Sequence, residues 1–187
     1  MAIKATIYKA TVQLSDIDRG VYADHPLTIA RHPSETDERL LIRLLAFALN
    51  APPDTDHGPL EFAKDMWDPD EPSLWQKDYT GQILHWIEVG QPDEKRLLRA
   101  SARVGRVSVY SFSASTLIWW KGSAPQLTRL RNLSVWQIPA DQSQALAALA
   151  QRTMELQVTV QDAAIWVGDG QRSLEVAPVR LCGPAGS

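Results

Sequence analysis

The sequence predicts an α/β (α+β) protein: a mixed β-sheet with flanking helices, plus additional antiparallel strands towards its N- and C-terminal ends. Three observations carry that expectation. Residues 3–14 alternate polar and apolar side chains and are rich in β-branched types, the pattern of a strand with one buried face. Residues 82–112 read as strand, helix, strand, a βαβ crossover that brings two parallel strands together with right-handed connection. Residues 154–160, 164–167 and 173–176 read as three further strands, the last two joined by a hairpin turn at Gly168-Asp-Gly170. At 187 residues the chain is long enough for one substantial core. A single domain is expected over residues 1–178, with 179–187 as a disordered tail.

Taken in order, the first strand meets a turn at Asp16–Gly20 and pairs with a second strand, Val21 to Ala30, interrupted near His25-Pro26. Ser34 is a good helix N-cap and Asp37, three residues later, completes a capping-box pattern. Leu41, Leu44, Leu45, Ala48 and Leu49 then recur at helical spacing as a core-facing stripe. Glu38 stands at the edge of that stripe, and Glu35 can pair with Arg39 one turn on. Residues 50–59 hold the breakers of a loop, in which Asp54, Asp56 and His57 read as solvated. Leu60–Ala63 suggests a short strand. From Asp65 the chain reads as a turn into a short helix capped by Asp70, with Pro72 in its first turn and Ser73–Lys77 completing it.

Residues 82–89 form the central strand, and Ile83, Leu84, Trp86 and Ile87 predict burial on both faces. Pro92 and the acids at 93 and 94 open a helix to about Val104, along which Arg96, Arg99 and Arg103 are spaced as one basic stripe. That stripe contacts phosphates or forms a wet face. Val107–Phe112 is the second parallel strand; Ser115–Lys121 is a short helix carrying Trp119 and Trp120, for both of which core packing is the favoured role. Leu133–Ile138 is a strand, and Asp141 caps a helix through Ala150.

Charge is distributed unevenly. Residues 32–90 hold 12 acids and 4 Lys/Arg, whereas residues 91–131 hold 2 acids and 8 Lys/Arg. An acidic segment suits a hard cation and a basic one suits phosphates; two solvated faces of a stable domain would look the same. There is no GxGxxG, Walker loop, CxxC pair, HExxH or Gly-x-Ser-x-Gly elbow, which disfavours a nucleotide cofactor, zinc and serine-hydrolase chemistry. The single cysteine, Cys182, fits a reducing compartment. The N-terminus lacks a signal-peptide pattern and no run approaches the ~20 apolar residues that span a bilayer. A cytoplasmic location without membrane partners is therefore expected.

The candidate site centres on Glu88, a carboxylate ending an apolar strand, where it needs a cation, donors or water. Asp78 precedes the same strand and Lys95 follows it. Two acids and a lysine around one strand compose a divalent-metal nuclease site, and also ordinary strand and helix ends. Several stretches extend this reading: Lys4-Ala-Thr-Ile-Tyr-Lys-Ala-Thr11, Ala30-Arg-His-Pro-Ser-Glu-Thr36, Trp86-Ile-Glu-Val-Gly-Gln-Pro-Asp-Glu94, Leu133-Ser-Val-Trp136 and Arg152-Thr-Met-Glu-Leu-Gln157 resemble the bacterial YaeQ proteins over nearly the whole chain.

The resemblance implies a variation on the PD-(D/E)XK restriction-endonuclease-like core, of αβββαβ order, with no reaction established for the family. In that superfamily an Asp and an acid-x-Lys pair hold magnesium and activate water. Mapped here, Glu88 fits the acid, but the lysine position two residues later is Gly90. Lys95 would supply the ammonium and Gln91 would orient a water; Asp78 is the remaining Asp, and Glu38 or Glu35 a third acid. A tight hairpin turn at Thr80-Gly81 would hold Asp78 and Glu88 ~17 Å apart, so sharing a metal requires residues 78–81 to fold back. Two functions follow. One is a Mg²⁺- or Mn²⁺-dependent phosphodiesterase acting on nucleic acid. The other is a non-catalytic module that keeps the fold and binds nucleic acid or another protein, favoured by Gly90.

Overall fold

The computed structural model describes residues 4–184. Ile3 of the first expected strand and residues 185–187 of the expected tail lie outside the described residues. The fold is mixed α+β, with eleven strands in two mixed sheets and four α-helices among the described residues. It resolves into two compact units: residues 1–53 with 141–177, and residues 54–140 with 178–187.

The first unit is built on a five-stranded sheet of order β10-β9-β8-β1-β2. β1 (Thr6–Asp16) and β2 (Val21–Arg31) form the expected antiparallel hairpin, in register from Thr6↔Arg31 to Asp16↔Val21 without a break at Pro26. Pro26 is tolerated because β2 is an edge strand, where a missing N–H costs no ladder bond. On its other side β1 pairs in parallel with β8 (Thr153–Gln161), followed by β9 (Ala164–Gly168) and β10 (Ser173–Val176). Alternation buries one face: Tyr8, Ala10, Val12 and Leu14 beside Met154, Leu156, Val158 and Val160. Helices α1 (Asp37–Asn50) and α4 (Ala140–Ala147) close that face, Leu41, Leu44, Leu45 and Leu146 meeting Val12, Leu156 and Val158.

Two details of α1 differ from expectation. Its N-cap is Thr36, whose hydroxyl accepts the Arg39 amide at 3.1 Å, while Ser34 stays in the preceding loop with its amide on His32. Both residue types cap well, and the one that leaves Glu35 outside the helix is used. Leu40–Ala48 are all buried, so the helix is covered all round rather than along a stripe.

The second unit carries a six-stranded sheet of order β11-β7-β6-β5-β4-β3. β3 (Leu60–Phe62), β4 (Leu74–Lys77) and β5 (Ile83–Val89) form an antiparallel meander. From β5 the chain crosses through α2 (Glu94–Arg103) to the parallel β6 (Arg106–Phe112), then through α3 (Thr116–Leu127) to the parallel β7 (Leu133–Ile138). The core joins Trp86, Val107, Val109, Leu133 and Val135 of the sheet to Leu97, Ala100 and Leu127 of the helices, with Trp119 and Trp120 partly buried against it. The expected βαβ crossover is thus present; β3, β4, β5, α2 and β6 follow one another within the second unit, while α1, which precedes them along the chain, belongs to the first.

Two segments are corrected. Ser73–Lys77 does not continue a helix: only a single 3-10 turn forms, at Asp65–Trp67, and Leu74–Lys77 is β4. Val179–Cys182, placed in the tail by the sequence, is β11, antiparallel to β7 with Cys182 Sγ on the Leu133 carbonyl.

Candidate functional site

β5 is buried on both faces over its last five residues, and Glu88 lies within that stretch at 6 % exposure. A carboxylate there must be met by donors. The Trp86 indole N–H reaches Glu88 Oε1 at 2.9 Å and Arg96 Nε reaches the same oxygen at 2.6 Å. Both bonds converge on Oε1, and neither engages Oε2. Burial pushes the Glu88 carboxyl above its ordinary range, Arg96 and Trp86 oppose that push, and the charge of Asp65 adds to it.

Arg96 is a junction. Its Nη2 donates to the Glu71 carbonyl at 2.7 Å, its Nη1 donates to the Pro69 carbonyl, and its guanidinium lies 5.8 Å from the Trp86 ring centre. The side chain therefore ties segment 69–71 to the end of β5. It does not belong to an exposed stripe. The outward line on α2 is Lys95, Arg99 and Arg103, one turn apart and all exposed. Among the described residues none of the three is in an ion pair. From Lys95 to Ala140 the chain carries eight Lys/Arg and no Asp or Glu, the nearest acids along it being Asp93 and Glu94 at the start of α2.

The carboxylate brought near Glu88 is Asp65. It sits at φ 55, in the left-handed region that costs a non-glycine residue strain. Ser73 links the pair: its hydroxyl donates to Asp65 Oδ1 at 2.9 Å and accepts the amide of Val89, next to Glu88, at 3.1 Å. In the sequence Asp65 reads as part of a turn, because nothing local marks it. Its relation to Glu88 exists only once β3, β4 and β5 pair.

The remaining candidates are dispersed. Asp78 closes the β4–β5 hairpin: its amide donates to the Gln82 carbonyl at 2.9 Å, and its Oδ1 accepts from Thr80 N, Thr80 Oγ1 and Gln82 N. Those bonds, led by the Thr80 hydroxyl, hold its carboxyl below the usual range. Residues 78–81 form the tight turn and do not fold back. Asp78 therefore stays at the turn while Glu88 lies near the far end of the strand, ~17 Å away at ~3.4 Å per residue. Asp78 and Glu88 do not converge.

Glu35 and Glu38 belong to the first unit and are engaged there. Glu35, 2 % exposed, takes Arg39 Nη1 at 2.6 Å and Arg43 Nε at 2.8 Å, with Arg43 Nη2 on its other oxygen. Glu38 accepts the Ser143 hydroxyl at 2.7 Å. Gln91 donates to Ser115 Oγ at 2.8 Å and Ser113 Oγ at 3.3 Å. Gly90 has φ 114, a conformation L side chains rarely adopt, so backbone geometry explains why a lysine is missing there. Among the described residues no group of three or more His, Cys, Asp or Glu is arranged to hold a metal ion. The donor set nonetheless fits magnesium in one limited sense, since Mg²⁺ keeps several waters and takes one or two carboxylates. Asp65 and the Oε2 of Glu88 supply two.

Among the described residues no helix is long and apolar enough to cross a membrane. The family model for the YaeQ protein matches residues 1–178. The Escherichia coli K12 protein named "Uncharacterized protein YaeQ" is 43 % identical over 178 residues, covering 94 % of this chain and 95 % of its own length. Its Salmonella typhi counterpart is 42 % identical at the same coverage. The crystal structure of YaeQ from Xanthomonas axonopodis pv. citri superposes with a TM-score of 0.91 at 43 % identity, covering 97 % of this chain and all of that one. The Pseudomonas syringae YaeQ structure gives 0.89 at 37 % identity, covering 97 % and 98 %.

Proposed function

This chain belongs to the YaeQ family, and from that premise we propose that its second unit is a PD-(D/E)XK-like phosphodiesterase core dependent on Mg²⁺ or Mn²⁺. The observation that carries the reading is the Asp65–Glu88 pair: a strained acid and a buried acid, linked through Ser73 at the end of a strand in a parallel βαβ. Asp65 would take the role expected of Asp78, and the carboxylates of Asp65 and Glu88 would hold the metal. When bound, the metal supplies a lowered water pKa and offsets charge developing on phosphate. The exposed Lys95, Arg99 and Arg103 would hold a phosphodiester backbone, and Gln91, on the rim beside Gly90, would orient water. Purified protein should bind Mn²⁺, seen by its paramagnetic resonance signal. Asp65→Asn and Glu88→Gln should each weaken binding at least tenfold, while Asp78→Asn leaves it unchanged. Labelled DNA and RNA should be cut only with metal present. No cleavage together with unaltered Mn²⁺ binding in Glu88→Gln would sink the reading.

One observation favours a second reading. Arg96 already places a cation on Glu88, as it would in a scaffold that binds without cutting. Nucleic-acid binding would then survive Glu88→Gln and fall when Lys95, Arg99 and Arg103 are neutralised together. Binding insensitive to salt would point instead to a protein partner.

A further inference from the structure

We propose that the outer face of the first unit's sheet carries a binding pocket for one ring of a neutral carbohydrate. The pocket, of about 260 Å³, lies where β8, β9 and β10 run side by side. Register builds it in two rows. Gln157 stands opposite Gly168, which stands opposite Ser173; Thr159 stands opposite Trp166, which stands opposite Glu175. Trp166 is 44 % exposed, and its cross-strand neighbours Thr159 and Glu175 are polar. A half-exposed indole presents an apolar ring to solvent beside polar neighbours, the amphipathic surface that recognition sites use.

Gly168 forms the floor. A Cβ there would come within 2.9 Å of the Arg172 carbonyl and 3.7 Å of Gln157 Oε1, so a side chain would both clash and fill the hollow. The side chains of Gln157, Thr159 and Ser173 have no hydrogen-bond partner within the protein among the described residues. An apolar ring wall beside accessible amide and hydroxyl groups that make no bond within the protein matches a sugar, which presents C–H groups on one face and hydroxyls at its edge.

Charge separates this ligand from a nucleobase on a phosphate chain. Arg172 is the one cation lining the pocket, and Glu175 stands beside Trp166. A phosphodiester strand would gain one attraction and meet one repulsion, without the run of cations that such binding requires. The volume falls just below the roughly 300–1,000 Å³ of sites that engulf a drug-sized ligand, so one ring is gripped rather than a chain buried.

The test is an ¹⁵N–¹H titration of the full chain at millimolar maltohexaose, cellohexaose and chitohexaose, with hexathymidylate in parallel. With at least one of the sugars, the Trp166 indole and Gln157 amide signals should shift. Trp166→Ala should weaken that binding about tenfold, with the remaining spectrum unchanged because the side chain lies outside the core. The proposal is overturned by no shift at those two side chains with any sugar, by a Gln157 amide shift that persists undiminished in Trp166→Ala, or by a response there to hexathymidylate instead.

Discussion

At the scale of single residues, the chain uses its buried charges to hold the fold. Glu35 closes on Arg39 and Arg43, and Arg43 also caps the Ala30 carbonyl at 3.0 Å, which ties β2, the following loop and α1. Removing one partner of a buried pair leaves the other charge uncompensated. Glu35→Ala should therefore lower the unfolding free energy by about 3–5 kcal/mol in a urea titration; a stability near wild type would contradict the structural role. His85 is the second case. Its Nδ1 accepts from Arg106 at 3.0 Å, so its Nε2 carries the proton and donates to Ser108 Oγ at 2.7 Å. Burial, reinforced by the Arg106 charge, lowers its pKa to about 3 from an ordinary 6.5. The folded state thus holds it neutral while the unfolded chain protonates below pH 6.5. Its stabilisation is intact above pH 6.5 and is lost as pH falls towards 3, to a limit of roughly 5 kcal/mol. His85→Gln should flatten the stability decline between pH 6.5 and 4; an unchanged slope would rule His85 out as its source. Glu88, pushed upward by burial, works in the opposite sense, favouring the fold at acid pH and less as pH rises.

At the scale of elements, two connections depend on glycine backbone positions, one before β3 and one after β5. Gly58 has φ 95, and a Cβ there would lie 1.9 Å from the Lys77 carbonyl oxygen. Gly58→Ala should cost more than ~2 kcal/mol, read as a fall in the urea midpoint, because backbone and not a flexible side chain is in the way. Gly90→Lys, which writes the superfamily lysine into the sequence, should destabilise for a different reason, since a Cβ there meets nothing within 4 Å but φ 114 strains any L residue, and it should create no metal-dependent activity. This is also where the sequence was most and least legible. Strands with a two-residue alternation, such as β1 and β8, and the β5-α2-β6 crossover declared themselves through periodicity. β4 did not, since four residues flanked by Asp70 and Pro72 satisfy helix-start signals equally well and only pairing with β5 decides. β11 is visible only through its partner β7. Within the candidate site Glu88 was legible from its place on an apolar strand; Asp65 was not, because its meaning comes from residues 23 positions away in space-filling register rather than from its own neighbours.

At the scale of the whole molecule, the separation of charge becomes a measurable property. The segment 95–140 presents cations with no acid among them, and the exposed α2 line accounts for three. If these meet phosphates, neutralising all three should reduce the slope of log affinity against log salt by about 2–3 for DNA or RNA. An unchanged slope would place the contact elsewhere. The same chain-level view gives one feature of the first unit a temporal meaning. Its strand β1 takes a parallel partner, the central strand β8, whose residues lie 144 positions further along, Lys9 opposite Thr153 and Asp16 opposite Val160. During synthesis the β1–β2 hairpin emerges at once, while that edge of β1 stays open until β8 leaves the ribosome. At ~5–20 residues per second the interval is on the order of 10–30 s. Residues 54–140, emerging meanwhile, hold five strands and both crossovers of the second unit within themselves. The nascent protein therefore matures from its middle outwards, and its earliest hairpin is the surface a chaperone would have reason to cover.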